Sequence, residues 1–321
     1  MSSEHFILYL LVVFFFASCE SDQQMKVLYI NSYHDGYGSS DDVMNGIRGV
    51  LRDKVEMRIL FMDTKRNSDP HFIESRVGET SKEIALFQPD IIIASDDNAV
   101  KYVVQPHCKV SSIPVVFCGV NWNADQYILP RDQVTGMLEV LPIVETINIV
   151  RATFPQIHRL TVLSENSESE LKNKVVMEEL FKRLNLEVTY SLVSDFDSWK
   201  SEFLKANENS DVIYAPTNGA VQNWDIAEAG SFVEEHIQIP VITCDDFMMP
   251  YAVFGLTKVA MEQGERAAHT ALKILHGASP AEIPIAENRQ SQAWVNLVLA
   301  EKIGFKLPEE LKEHCKIIDK P

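Results

Sequence analysis

The feature that most constrains this chain is a short apolar segment that changes abruptly into a polar turn. Asp90 to Val104 begins with an unbroken apolar run that is rich in β-branched residues and too short for an ordinary helix. Such a run predicts a strand that is buried on both faces, as in a parallel sheet. Four polar residues follow it, Ser95, Asp96, Asp97 and Asn98. Because ligands of open α/β sheets gather at the carboxyl ends of strands, this turn is a candidate site.

A second segment has the same design. Pro240 to Asp246 is an apolar strand that ends in the pair Asp245 and Asp246. Around both segments, short apolar strands alternate with helical patterns, first from Met25 to about residue 120 and again after residue 133. This alternation predicts βαβ units with right-handed crossovers, and hence an α/β fold with doubly wound parallel sheets. A length of 321 residues is enough for two such units.

The break in this rhythm between residues 121 and 133 predicts the domain boundaries. We expect lobe 1 to span residues 26–133 and to be completed by about 247–280. Lobe 2 would then span residues 134–246. The remaining segment, 281–321, is expected to cross back and pack on the lobes.

The amino terminus has the pattern of an export signal. Phe6 to Phe16 is an apolar run of the length of a signal-peptide core, too short to cross a bilayer comfortably. The sequence Phe16-Ala17-Ser18-Cys19 that ends it resembles the bacterial lipobox, in which the cysteine is acylated. We therefore expect a signal peptide over residues 1–18, a lipid anchor on Cys19, a tether over 19–25 and an extracytoplasmic location. A plain cleaved signal and an uncleaved anchor remain alternatives.

Charge and motifs argue against several classes of function. The formal net charge of −17 is the reverse of what a nucleic-acid partner requires. The phosphate loop, the dinucleotide fingerprint and the G-x-S-x-G elbow are absent, and the histidines have no metal-ligand spacing. We therefore expect no cofactor and no metal. Four cysteines also lack the spacing of metal ligands, namely Cys108, Cys118, Cys244 and Cys315. The sequence allows them to be free thiols or to form a disulfide.

The two acidic pairs and the nearby aromatic residues each allow more than one role. The carboxylates could serve acid–base catalysis, bind a hard cation, cap a helix or bind the ammonium group of a ligand. No nucleophile accompanies them, which disfavours catalysis. Aromatic rings near the predicted strand ends could cover a ligand or pack under loops; these are Tyr33, Tyr37, Trp122 and Trp224.

Several motifs resemble one bacterial family. They include Ile30-Asn31-Ser32-Tyr33-His34, Met62-Asp63-Thr64, Ser95-Asp96-Asp97-Asn98, Val116 to Asn121, and Val295-Asn296-Leu297. Together they look like the substrate-binding lipoproteins of ABC transporters that include tryptophan and tyrosine binders, and like related sensor modules of histidine kinases. The resemblance covers about residues 26–318. It implies the type I periplasmic-binding-protein fold, in which two α/β lobes are joined by three crossings and enclose a ligand in a cleft.

The resemblance also implies the residues of the site. In lobe 1 they are Ser32, Tyr33, Ser95, Asp96, Asp97, Asn98, Gly119 and Asn121. In lobe 2 they are Ser164, Asn166, Thr217, Asn218 and Asp245. Tyr37 joins them because it lies on the same glycine-flanked loop as Tyr33. Amino-acid binders of the family have a small uncharged turn where this chain has Ser95 to Asn98, so the resemblance leaves the ligand open.

We therefore expect a solute-binding lipoprotein that carries out no reaction. It would bind a small polar solute, with amino acids as one class, and deliver it as a monomer to ABC permease subunits. The alternative is a ligand sensor that contacts a separate signalling partner such as a histidine kinase. An α/β enzyme that uses the acidic pairs is the third hypothesis.

Overall fold

The computed structural model describes residues 24–319 except Lys65 and Ser68, and the side chains of Glu168 and Ser169 are not described. The expected signal peptide (1–18), the expected anchor Cys19 and most of the expected tether (19–25) lie outside the described residues. Within residues 24–319, no helix combines the length and the apolar character needed to cross a bilayer.

Strands and helices alternate along the chain as the sequence predicts. The strands are β1 (Lys26–Asn31), β2 (Glu56–Phe61), β3 (Ile91–Ser95), β4 (Val115–Asn121), β5 (Val134–Glu139), β6 (Arg159–Glu165), β7 (Glu187–Val193), β8 (Val212–Tyr214), β9 (Val241–Thr243), β10 (Phe254–Lys258), β11 (Ala286–Glu287), β12 (Ser291–Asn296) and β13 (Lys316–Ile318). The helices are α1 (Gly38–Leu51), α2 (Pro70–Phe87), α3 (Asp96–Ala99), α4 (Gln105–His107), α5 (Ile143–Thr153), α6 (Glu168–Arg183), α7 (Phe196–Asn209), α8 (Ile226–His236), α9 (Ala260–Leu275), α10 (Leu297–Ile303) and α11 (Glu309–Lys312). A π-helical turn, Val100–Val104, joins α3 to α4, and 3-10 turns occupy Asp246–Tyr251 and Pro280–Glu282.

Local sequence signals set the starts of several helices. Asp69 accepts a hydrogen bond from the Phe72 amide, and Pro70 occupies the first position of α2, where its missing N–H costs nothing. Asp195 and Asp225 cap α7 and α8 in the same way. Aspartates in this chain therefore also serve as caps, which is the alternative role considered for the two acidic pairs.

The strands form two sheets. Their spatial orders are β11-β5-β4-β3-β1-β2 and β13-β12-β10-β9-β8-β6-β7, and the paired strands are parallel except that β12 runs antiparallel to β10. Both faces of the first sheet are covered. Leu28 and Ile30 share a core with Phe87 of α2, whereas Val27 and Tyr29 pack in a core with residues of α1 and α9. This confirms the predicted α/β class with two doubly wound, parallel-sheet lobes.

The first crossing between the lobes lies later than the sequence predicts. β5 was expected in lobe 2, but it pairs with β4 of the first sheet, with Val134 opposite Val115. The Thr135 hydroxyl also donates a hydrogen bond to the Ile283 carbonyl, at the edge of that lobe. Residues 121–133 therefore form a loop within lobe 1, and the chain crosses at residues 140–142.

The second crossing also differs from the expected boundary. Residues 247–258 were expected to complete lobe 1, but β10 pairs with β9 and β12 in the second sheet. The chain returns to lobe 1 only at α9, which packs closely on α1 through Gly264 and Gly46. A third crossing separates β11, in the first sheet, from β12, in the second. The carboxyl ends of the two sheets approach each other where Lys258, the last residue of β10, contacts Glu139, the last residue of β5.

Candidate functional site

In lobe 1, most of the predicted polar turn is held by hydrogen bonds within the lobe. Tyr127 donates to one oxygen of Asp97 at 2.6 Å, and the Asn121 side chain donates to the other at 2.7 Å. Asn98 donates to the carbonyl and hydroxyl oxygens of Thr64 at 3.2 and 3.1 Å. Asp97, Asn98 and Asn121 therefore tie the loops of lobe 1 together.

Two serines of the predicted site also have structural partners. The Ser32 hydroxyl donates to the Ser95 carbonyl at 2.7 Å and accepts from the Ala99 amide at 2.8 Å. The Ser95 hydroxyl lies 2.9 Å from the Tyr29 hydroxyl inside the lobe. These bonds fix the end of β3 and the start of α3, and thereby position the residue between them, Asp96.

Asp96 differs from its neighbour because its backbone is left-handed. Its φ of 73° is unusual for a residue with a side chain, and its carboxylate is close to the Tyr33 hydroxyl. Burial raises the pKa of Tyr33 well above its ordinary value, and the charges of Asp96 and Glu139 raise it further. The Tyr33 ring stacks on Tyr37 with 4.4 Å between centroids. Asp96, Tyr33 and Tyr37 thus form one corner of the site.

Gly119 acts through its backbone. Its amide donates to the Gln263 side chain at 3.0 Å, and its φ is 67°. A Cβ at this position would lie 3.6 Å from the Asp96 amide nitrogen. The positive φ, rather than close packing, therefore favours glycine at this position, and Gln263 of α9, which accepts its amide, is a residue that the sequence did not reveal.

In lobe 2, two buried glutamates lie beside the predicted residues Ser164 and Thr217: Glu165 ends β6, and Glu170 lies in α6. The Ser164 hydroxyl and the Asn173 amide each donate to Glu170 at 2.7 Å. Burial raises the pKa of Glu170, although these two donors oppose the shift. Glu165 accepts the Ala220 amide at 2.6 Å, and the Thr217 hydroxyl lies 3.4 Å from the same carboxylate oxygen.

The other predicted residues of lobe 2 have different positions. Asn166 is exposed, and its amide donates to the Val193 carbonyl. Asn218 is half-buried, and its carbonyl accepts the Val221 amide within the same turn. Trp224 packs against Trp199 and Tyr251, in the interior of lobe 2.

The lobes meet at an ionic cluster that the sequence analysis did not predict. Lys258 of β10 reaches Glu139 of β5 at 2.7 Å and Asp245 at 3.4 Å. Burial lowers the pKa of Lys258, but the charges of Asp245 and Glu139 outweigh it, so the pKa lies above its ordinary value. Burial raises the pKa of Glu139, and Lys258 opposes this. Asp245, expected to bind a ligand ammonium group, thus already has a cationic partner in the chain.

A tryptophan forms a second contact between the lobes. Trp122, in the loop that follows β4, donates its indole N–H to the Asn173 side chain of α6 at 3.2 Å. Asn173 in turn donates to Glu170, which also accepts from Ser164. This hydrogen-bonded chain links the strand end of lobe 1 to that of lobe 2. Trp122 therefore connects the lobes, and its neighbours Asn173 and Glu170 are further residues that sequence reasoning missed.

Across the described residues, no group of three or more His, Cys, Asp or Glu side chains is arranged to hold a metal ion. The four cysteines at 108, 118, 244 and 315 are free thiols.

Comparison with known proteins places this architecture in a class. The sequence model of the family described as ABC transporter substrate binding protein matches residues 37–317. This chain therefore belongs to the family of ABC transporter substrate binding proteins.

Individual relatives are more distant. A tyrosine-binding protein from Clostridioides difficile (strain R20291) is 24% identical over 170 residues, which are 52% of this chain and 48% of that protein. The match thus spans about half the length of that relative. An ABC domain from Streptococcus pneumonia in complex with L-Trp has a TM-score of 0.62 at 18% identity, covering 92% of this chain and all of that one. A ligand-free, open substrate binding protein with adhesive properties from Clostridium difficile has a TM-score of 0.69 at 16% identity, covering 93% and 100%. Both solved structures share the fold of this chain.

Proposed function

We propose that this protein is the extracytoplasmic receptor of an ABC transporter and binds a small polar solute between its two lobes. The observation that carries the proposal is that strand ends of both sheets meet, where Lys258 of β10 contacts Glu139 of β5. Glu139 from lobe 1 and Lys258 and Asp245 from lobe 2 meet there, beside Asp96 and Tyr33. Polar groups that converge in a cleft between lobes are typical of a solute site.

The proposed mechanism is a shift between open and closed lobes. A solute that contacts both lobes binds the closed form more tightly and therefore raises its population. Two pairs of side chains also connect the lobes directly. Trp122 contacts Asn173, and Glu139 contacts Lys258. A permease would then recognise the closed form and accept the solute. No group in the site is proposed to make or break a covalent bond.

Binding can be tested by thermal unfolding. A solute that binds only the folded protein should stabilise it by about 2.7 kcal/mol at a hundredfold excess over its Kd. We expect a rise in Tm with at least one member of a panel of amino acids, amines, sugars, peptides and organic acids. The relatives that bind tyrosine and tryptophan make those amino acids the first compounds to test. A flat response to the whole panel would contradict the proposed function.

The proposed anchor can be tested separately. If Cys19 is acylated, the protein extracted from bacterial membranes should have lost residues 1–18 and should carry acyl chains on its new amino-terminal cysteine, by mass spectrometry. The variant Cys19→Ser should lose this mass and leave the membrane fraction. A mature protein that starts elsewhere, without acyl chains, would support the plain cleaved signal instead.

A further inference from the structure

We propose that Trp122 is a latch, meaning a contact that holds the two lobes closed without involving the solute, and that it thereby sets how long a bound solute stays in the cleft. The effect on the solute rests on the proposed function, whereas the latch itself can be tested without a solute. Three features of Trp122 carry the inference: the place of its ring, the hydrogen bonds that receive it and its backbone conformation.

The first observation is that the backbone and the side chain of Trp122 belong to different lobes. The residue directly follows β4, and its amide donates a hydrogen bond to the Glu139 carbonyl at the end of β5 in lobe 1. Its ring packs against the hydrophobic core of lobe 2 and donates its N–H to Asn173 of α6 at 3.2 Å. Because opening the lobes exposes this ring and breaks this hydrogen bond, the contact favours the closed form.

The second observation is that Asn173 is oriented to accept from the indole. Its side-chain nitrogen donates to one oxygen of Glu170 at 2.7 Å, and the Ser164 hydroxyl donates to the other oxygen at the same distance. Since a carboxylate only accepts hydrogen bonds, Asn173 turns its nitrogen toward Glu170 and leaves its oxygen for the indole N–H, which only donates. The acceptor for Trp122 is therefore fixed by the same carboxylate that binds Ser164, a residue of the predicted site.

The third observation is the backbone of Trp122. Its φ is 61°, in the left-handed region, where a bulky side chain is a genuine outlier. Such a conformation persists only where the surrounding contacts determine it. For Trp122 these contacts come from both lobes, from the Glu139 carbonyl at the amide and from Asn173 at the ring. The unfavourable backbone thus directs the ring from lobe 1 onto lobe 2.

The position of this contact distinguishes it from the ionic pair between the lobes. Glu139 and Lys258 end the strands that lead into two of the crossings, so a rotation of the lobes about the crossings separates them little. Asn173 is linked through Glu170 to the end of β6, which is separated from β10 by β9 and β8. This places it roughly 14 Å from β10, at about 4.8 Å between neighbouring strands. Since a contact farther from the axis moves apart more, opening separates Trp122 from Asn173.

Trp122→Gly tests the latch without a solute. Glycine removes the ring, adopts a positive φ without strain and keeps the amide that donates to Glu139, so the loop after β4 should keep its conformation. Small-angle X-ray scattering of the solute-free protein should give a larger radius of gyration for this variant than for the wild type, because more molecules are open. An unchanged radius of gyration for a variant that circular dichroism shows to be folded would overturn the latch.

Trp122→Phe isolates the indole hydrogen bond, and Trp294→Phe is its matched control. Trp294 is also half-buried and donates its N–H to the Thr257 hydroxyl at 3.0 Å, but both of these residues belong to lobe 2. The probe is the compound that raises Tm most in the thermal panel. It should dissociate about fivefold faster from Trp122→Phe, the size expected for one hydrogen bond, and at least about tenfold faster from Trp122→Gly. Its dissociation from Trp294→Phe should match the wild type, and equal rates for the two phenylalanine variants would contradict the latch.

The outcomes separate the latch from the proposed function. If no compound of the panel binds, the proposed function is contradicted, and scattering still decides on the latch. If a compound binds and leaves Trp122→Gly as slowly as the wild type, the proposed function stands and the latch is wrong. Faster dissociation from Trp122→Gly without a larger radius of gyration in the solute-free protein would mean that Trp122 contacts the solute itself, which also contradicts the latch.

Discussion

Replacing Lys258 with methionine is expected to lower the free energy of unfolding by about 3 kcal/mol. The change keeps the length of the side chain but leaves Glu139 and Asp245 without their shared cation. This loss is at the low end of the range for breaking a buried ion pair, because the three side chains are still 15–24% exposed to solvent. Urea unfolding at pH 7 measures the effect.

The loss should depend on pH. Burial already raises the pKa of Glu139, and removal of Lys258 removes a charge that opposes this rise. A carboxylate with a higher pKa in the folded state binds more protons when folded, so its contribution to stability increases as the pH falls through that window. We therefore expect Lys258→Met to lose more stability at pH 8 than at pH 5.

Two further variants show whether the buried cluster is responsible. Adding Glu139→Gln to Lys258→Met should restore part of the lost stability, because it removes one of the two uncompensated charges. Lys200→Met is the matched control: Lys200 also contacts two carboxylates, Asp197 at 2.9 Å and Glu228 at 2.8 Å, but these partners are 92% and 56% exposed, whereas Glu139 and Asp245 are mostly buried. If Lys200→Met costs as much stability as Lys258→Met, the cluster between the lobes has no special role.

The sequence predicted the fold, and it pointed to part of the candidate site, because both follow from local patterns. The β-branched run before Ser95 and the alternation of strands with helices predict a parallel sheet with its polar groups at the carboxyl ends. The same rule led to Asp96 and Asp245. It could not separate Asp96 from Asp97, because the left-handed backbone of Asp96 and the partners of Asp97, Tyr127 and Asn121, depend on tertiary structure.

Lys258 was missed for a different reason. The segment around Pro250 and Gly255 has the composition of a broken loop, yet Gly255 lies within β10. A Cβ there would come 2.7 Å from the Met249 sulfur and 2.8 Å from the Thr243 carbonyl oxygen, so the strand requires glycine for close packing. The composition of the segment alone does not reveal that Met249 and Thr243 pack this closely against Gly255. Lys258 is the last residue of β10. Had the sequence revealed this strand, the rule that ligands gather at the carboxyl ends of parallel strands would have selected Lys258.

Replacing Gly264 with alanine is expected to destabilise the protein by about 3 kcal/mol, the upper end for an overpacked contact. A Cβ on Gly264 would lie 1.9 Å from the Val43 carbonyl oxygen and 3.0 Å from the Ile47 amide nitrogen. Both atoms belong to the backbone of α1, so no side chain can move aside to make room. The helices α1 and α9 would have to separate, and chemical denaturation should show the loss.

Gly49→Ala in α1 is the control for this prediction. Gly49 is exposed, and a Cβ on it would meet nothing within 4 Å. Alanine favours a helix over glycine by roughly 0.5–1 kcal/mol, so this variant should be slightly stabilised. Because the two substitutions are chemically identical, opposite signs would show that the backbone contact between α1 and α9 decides the effect. An unchanged unfolding midpoint for Gly264→Ala would contradict this close packing, because a Cβ 1.9 Å from the Val43 carbonyl oxygen has no room between α9 and α1.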